Sequence, residues 1–298
     1  MDPSHSNITL NDSYDYYNNL YDYNSTDDYE NGSSVDFFYV LTCIIISVGF
    51  PVTLMAIYAV FSLLRKDHVA PIYVINLLIS DLMQLCCMIA NVVECLLACK
   101  IVFYIYHIGL MASVCFMVCI ALERYLAIAW PLWYRHKRTI KISVVVCVVV
   151  WAIPVAYTFF GVFWNDEHFL FGIFLLLPFP LLIFFFGATI KALSAAISVP
   201  SEEKQRIVGL LILVLLIYTL LFLPSAILAL AGNFQNNFVF INVSFLLVKL
   251  SPLADLFMYV FLRKGAVNKL LASVCCCRTD HSDISRSTMN DKNTVSSL

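Results

Sequence analysis

Long apolar runs separated by short polar breaks fill the chain from residue 37 to residue 262. A bilayer span needs about 20 predominantly apolar residues. Seven stretches reach that length: Phe37–Leu64, Val69–Leu97, Cys99–Ile128, Ile142–Trp164, Phe169–Ile197, Arg206–Leu230 and Phe238–Leu262. Only a few residues around Asp166, Glu167 and His168 part the fourth run from the fifth. Fused, they would make a run of roughly 55 residues, far too long for one crossing, so they count as two. Backbone groups in lipid must be hydrogen-bonded within the segment, so the spans are helices. The pattern predicts an all-α membrane protein, a seven-transmembrane helix bundle with a short amphipathic interfacial helix after the seventh span.

Composition agrees. The chain is 61% hydrophobic and 13% charged, where soluble domains carry roughly 25% charged residues. The net charge of −2 gives no reason to expect nucleic acid or another polyanion as partner. The eleven cysteines follow neither a disulfide-scaffold nor a zinc-ligand spacing. No nucleophile–base pair is evident, so an enzyme is not expected. The polar residues 1–36 lack a basic flank and apolar core, so a cleavable signal peptide is not expected.

Basic residues set the orientation. Arg65 and Lys66 follow span one; Arg135, Lys137, Arg138 and Lys141 follow span three. Lys191, Lys204 and Arg206 lie around the link from five to six, and Arg263, Lys264 and Lys269 follow span seven. That bias places the N-terminus outside and the C-terminus in the cytosol of a multi-pass plasma-membrane protein.

Four segments follow. Residues 1–36 form an extracellular tail with eight acidic residues and no Lys or Arg, and sequons at Asn7, Asn11, Asn24 and Asn31. Its acid-flanked tyrosines are candidate sulfation sites, and its charge suits a basic ligand; a glycosylated spacer would read the same way. Residues 37–262 form the bundle. Residues 263–277, with Val267, Leu270 and Leu271 at helical spacing, form the interfacial helix, with Cys275, Cys276 and Cys277 as candidate acylation sites, that is palmitate. Residues 278–298 form a disordered cytoplasmic tail. Its serines and threonines could recruit arrestin after phosphorylation, and its ending Thr294-Val295-Ser296-Ser297-Leu298 fits a PDZ protein.

Several motifs fall in order along the spans: "NLLISDL" with Asp81, "CIALERY" with Glu123, Arg124 and Tyr125, "VVVWAIP" with Trp151, Pro178 or Pro180, "YTLLFLP" with Pro224, and "DLFMY" with Asp255 and Tyr259. In this the chain resembles the rhodopsin-like, class A G-protein-coupled receptors. With "VGFPVTLMAIY" in span one it resembles the branch that includes nucleotide, protease-activated, proton-sensing and lysolipid receptors. The resemblance implies a receptor that signals to a heterotrimeric G protein, with Glu123 paired to Arg124 in the closed bundle and Tyr259 part of the switch. It also implies that Asp81, Ser113, Ser251 and Asp255 converge on a sodium ion acting as modulator; no other cofactor is implied. Two carboxylates within reach of each other need a cation or a shared proton; a hydrogen-bonded helix contact without an ion is the alternative.

Lys249, almost two turns outward of Asp255, falls in the expected ligand cavity with Tyr106, His107 and Phe222. It calls for an anionic partner: Glu94, Asp166, Glu167, or the acidic group of a small molecule or lipid. Tyr106 stands where amine receptors carry an aspartate, which argues against an amine. Outer histidines such as His107 and His168 admit a proton-sensing reading.

Departures from the family matter. Thr53 replaces the span-one asparagine and Phe186 a span-five tyrosine. Leu256 replaces the span-seven proline, with Pro252 four residues earlier, which moves the expected kink about one turn outward. Lys204 stands where some receptors latch Arg124 with a glutamate, and Glu203 is adjacent. Cys99 has no cysteine within 152–180 to bridge, and Cys95 is the remaining neighbour. These departures keep a non-coupling scavenger or decoy receptor of the same fold as the alternative.

Overall fold

The computed structural model describes residues 32–64, 72–93, 99–132, 134, 140–164, 167–195, 201–231 and 238–262. The tail sequons, Glu94, Cys95, Asp166 and everything after Leu262, including Cys275, Cys276 and Cys277, lie outside them, as do the side chains of Cys99, Glu167, His168 and Tyr259.

The described residues fold as helices, without strands. Span one runs over Gly32–Leu64, span two over Ile72–Val92, span three over Cys99–Ala129 and span four over Ile140–Trp164. Span five is two helices, Glu167–Leu176 and Pro178–Ala195. Span six comprises Ser201–Ile217, a π-helical turn Tyr218–Phe222 and Leu223–Ala231; span seven comprises Phe238–Lys249 and Ser251–Leu262. All seven are long and apolar enough to cross a membrane. The apolar pattern therefore locates every span. The first helix starts earlier than expected, at Gly32, and the described part of the second is shorter at its start.

Proline chemistry accounts for the interruptions. Proline lacks the N–H that a helix uses at each step and crowds the preceding turn. Span five breaks at Leu177, directly before Pro178. Span six widens into its π turn just before Pro224, the usual way for a helix to absorb one misplaced residue. Span seven breaks at Leu250, two residues before the buried Pro252. The kink thus lies outward of Leu256, as the displaced proline implies.

Span three is the axis of the bundle, packing against spans two, four, five and six. Leu110, Met111, Ala112, Val114, Phe116, Met117 and Ile120 are all buried. Span four is peripheral, with Val144, Val145, Val148, Val149 and Val155 exposed on its outer side, as befits a surface solvated by acyl chains. A polar clamp holds it in place. The Trp151 indole N–H donates to Asn76 Oδ1 at 3.1 Å, while Asn76 Nδ2 donates to the Ile72 carbonyl at 2.9 Å and reaches Cys147 Sγ at 3.4 Å. Trp151 also meets Phe116 of span three edge-on, ring centres 5.8 Å apart. Spans six and seven are joined by Ser225, whose hydroxyl donates to the Ser244 carbonyl at 3.0 Å.

Span one approaches two and seven closely because Gly49 has no side chain. A Cβ there would lie 3.1 Å from Leu85 and 3.4 Å from Leu253. One turn inward, Thr53 is fully buried with no hydrogen-bond partner for its hydroxyl among the described residues.

Candidate functional site

The buried polar centre is built by spans two, three and seven. Asp81, Ser113, Ser251 and Asp255 are all buried and turn inward. The Ser113 hydroxyl donates to Asp255 Oδ2 at 3.2 Å. The Asp81 and Asp255 carboxyl groups are near enough to interact with each other. Both oxygens of Asp81 and Oδ1 of Asp255 lack a donor among the described residues. Bringing two carboxyl groups together in a low-dielectric interior is costly unless a proton or cation lies between them. Oxygen donors of this kind suit a hard cation. Among the described residues no group of three His, Cys, Asp or Glu side chains could hold a metal; a cation here would rest on two carboxylates and hydroxyls.

Ser251 differs from its expected place. Its hydroxyl faces Gln84 Oε1 at 3.4 Å rather than a carboxylate. Gln84 is fully buried, and its Nε2 has no partner among the described residues. The sequence does hold a signal for it, because Gln84 stands three residues after Asp81 and helical residues so spaced share a face. The centre therefore has two storeys: Asp81, Asp255 and Ser113, then Gln84 and Ser251 one turn outward.

The four residues expected to line one ligand cavity are distributed over three places. Tyr106 packs toward Ile45, Leu85 and Met88 of spans one and two. Lys249 reaches the same side of the bundle, its Nζ 3.5 Å from the Thr42 hydroxyl. Adjacent helical residues point about 100° apart, so His107 faces elsewhere. Its Nδ1 lies 2.9 Å from the Phe103 carbonyl, and its ring packs against Phe103 and Phe171 at 3.9 and 5.0 Å. There it borders a small recess of about 50 Å³ between spans three, four and five, shared with Tyr104, Met111 and Tyr157. Phe222 is fully buried against Tyr218, ring centres 5.5 Å apart, and Tyr218 lies over Phe179 of span five. Phe222 is thus a packing element of the π turn.

At the Ala129 end of span three Glu123 meets a tyrosine from the following turn. The Tyr134 hydroxyl donates to Glu123 Oε1 at 2.7 Å. Arg124 has its Nε buried without a hydrogen-bond partner among the described residues. Tyr125 packs against Phe184 and Phe185 of span five, ring centres 6.5 and 6.1 Å apart. Phe186, at the place of the family's tyrosine, joins the apolar core. Helical geometry continues through Tyr259 to Leu262.

Similarity to known proteins points to a family. The family described as 7 transmembrane receptor (rhodopsin family) matches residues 52–170, from span one to span five. G-protein coupled receptor 68 of Mus musculus is 24% identical over 287 residues, covering 79% of this chain and 78% of that one. C-C chemokine receptor type 1 of Homo sapiens is 22% identical over 267 residues, covering 72% and 74%. These matches support a rhodopsin-like receptor. Mas-related G-protein coupled receptor member X1 of Homo sapiens is 30% identical over a shorter stretch of 122 residues, 38% of this receptor and 37% of that one. Asp81, Arg124 and Trp151 all fall inside the segment matched to the family, whereas Lys249, Asp255 and the altered Leu256 lie beyond it. The receptor is accordingly a multi-pass, signal-transducing protein of the plasma membrane.

Proposed function

We propose that this receptor carries an extracellular ligand signal to a heterotrimeric G protein, its N-terminus outside and its C-terminus in the cytosol. The observation that carries the reading is the inward-facing carboxyl pair, Asp81 with Asp255, held by Ser113 at 3.2 Å. Ionisable groups at bilayer depth cost a few kcal/mol or more, and a bundle serving only as a scaffold has no use for two of them together. Asp81, Asp255 and Ser113 would hold a sodium ion, which supplies the positive charge the pair lacks. A cation bound more tightly by one helix arrangement than by another biases the equilibrium between them.

Arg124 is the contact for the G protein. Its guanidinium offers five N–H donors and no acceptor, suited to the carbonyls and carboxylates of a docking helix. Lys249 is the anchor for ligand. An ammonium group seated beside one hydroxyl would favour an anion, so the proposed ligand is an acidic small molecule or lipid.

The test is nucleotide exchange on a panel of purified G proteins by the receptor in lipid nanodiscs, with and without Arg124→Ala. Exchange that depends on Arg124 supports coupling. Exchange at the receptor-free rate in both proteins would instead favour a scavenger, the reading to which Leu256 and Phe186 lend weight.

A further inference from the structure

The recess of about 50 Å³ between spans three, four and five lies toward the Cys99, Trp164 and Glu167 ends of those helices. A single water needs about 10–15 Å³ of such space, so the recess has the size of about four waters, or of one ring. Gly161 makes the room, since it lines the recess without a side chain to fill it. Among the described residues that line it there is no Asp, Glu, Lys or Arg. A charged group would enter without a counterion and at high cost. The acidic ligand assigned to Lys249 therefore does not belong here, and Lys249 itself stands on the side of span one, beside Thr42.

The walls are fixed without a ligand. The Tyr157 hydroxyl donates to the Leu170 carbonyl at 2.7 Å and ties span four to span five. The His107 ring packs against Phe103 at 3.9 Å and Phe171 at 5.0 Å, which joins span three to span five. A preformed, mostly aromatic recess with a few polar groups is the usual form of a small-ligand site. Its mouth faces the bilayer. On each of the three spans a residue adjoining the wall is exposed: Ile105 beside Tyr104, Phe160 beside Gly161 and Phe169 beside Leu170. On helices long and apolar enough to cross a membrane, such side chains meet acyl chains.

We propose that this recess is a second binding site, for an uncharged ring-bearing alcohol dissolved in the membrane, of the alkylphenol type. The ring packs against the aromatic walls in the offset or edge-on geometries that such rings favour, and the alkyl chain trails into the lipid. Among the polar side chains of the wall, Tyr157 has given its hydrogen to Leu170 and His107 Nδ1 lies 2.9 Å from the Phe103 carbonyl. Thr158 is the residue assigned to the ligand's hydroxyl, because a threonine hydroxyl both donates and accepts. The site does not depend on coupling to a G protein.

The experiment uses the full-length receptor in nanodiscs and a photoreactive alkylphenol, with the plain alkylphenol and the matching alkylbenzene as competitors at equal concentration in the membrane. Labelling is expected to saturate, to map to peptides carrying Tyr104, Gly161 or Leu170, and to be displaced about five-fold more effectively by the phenol, as befits one hydrogen bond. Gly161→Leu is expected to lower the site's labelling at least ten-fold, whereas Gly187→Leu, at an exposed position with open space around it, leaves it unchanged. Thr158→Val is expected to keep the label but to equalise the two competitors; it alters one atom of the wall and decides the matter should Gly161→Leu not fold. Label spread evenly over the lipid-facing residues of all spans overturns the proposal. So does undiminished labelling in a folded Gly161→Leu receptor, or a preference for the phenol that is absent in wild type or survives in Thr158→Val.

Discussion

Lys249 Nζ lies 3.5 Å from the Thr42 hydroxyl, across the contact between spans seven and one. Thr42 has already committed its own hydrogen to the Phe38 carbonyl at 2.8 Å, so its oxygen is turned to accept. A hydroxyl is a weak counterpart for an ammonium group within a membrane bundle. Lys249→Met is therefore expected to raise the stability of the ligand-free receptor by about 1–3 kcal/mol, seen as a higher thermal midpoint, while weakening any acidic ligand. A lower midpoint in Lys249→Met would show that the lysine is held by an acidic side chain of the protein.

The clamp between spans four and two makes a second prediction. Trp151→Phe keeps an aromatic ring near Phe116 but removes the 3.1 Å bond to Asn76. Hydrogen bonds between membrane helices contribute about 0.6 kcal/mol on average and up to about 1.7. A loss of that size should appear in thermal unfolding, and Asn76→Leu combined with Trp151→Phe should cost little more than the worse of the two alone. Fully additive losses would mean that the two residues act separately.

Two glycines of span five separate packing from helix propensity. A Cβ at Gly172 would lie 2.9 Å from Leu230 Cγ, 3.0 Å from Ala229 Cβ and 3.3 Å from the Ala226 carbonyl oxygen, whereas at Gly187 it would meet nothing within 4 Å. Gly172→Ala must push spans five and six apart at their outer ends, at an expected cost of about 1–3 kcal/mol. Gly187→Ala is expected to be neutral or to stabilise by up to about 1 kcal/mol. Thermal midpoints of the pair, measured in the same detergent, check both signs.

Much of the architecture is legible in the sequence because lipid imposes a simple rule. Each crossing must be a continuous apolar helix, so seven apolar runs become seven spans, and the prolines at 178, 224 and 252 mark where helices break or widen. The polar centre was legible too, since Asp81 and Asp255 have no tolerable place except facing each other inside the bundle. Seam assignment was harder. Tyr106 and His107 share a depth but point to different sides, and depth alone does not make them neighbours of Lys249 or Phe222. Gln84 needed its spacing from Asp81 to be taken together with the span-seven register. The bond from Tyr134 to Glu123 depends on a bend after Ala129 whose direction no periodicity encodes.

The carboxyl pair offers the most direct test of the account. Nucleotide exchange by the receptor in nanodiscs is measured as sodium replaces a large organic cation at constant ionic strength, in wild type and in Asp81→Asn. The expected result is a rate that falls as sodium rises in wild type and a flat profile in Asp81→Asn. Equal profiles for the two proteins, whether both flat or both falling, would contradict a cation held between Asp81 and Asp255.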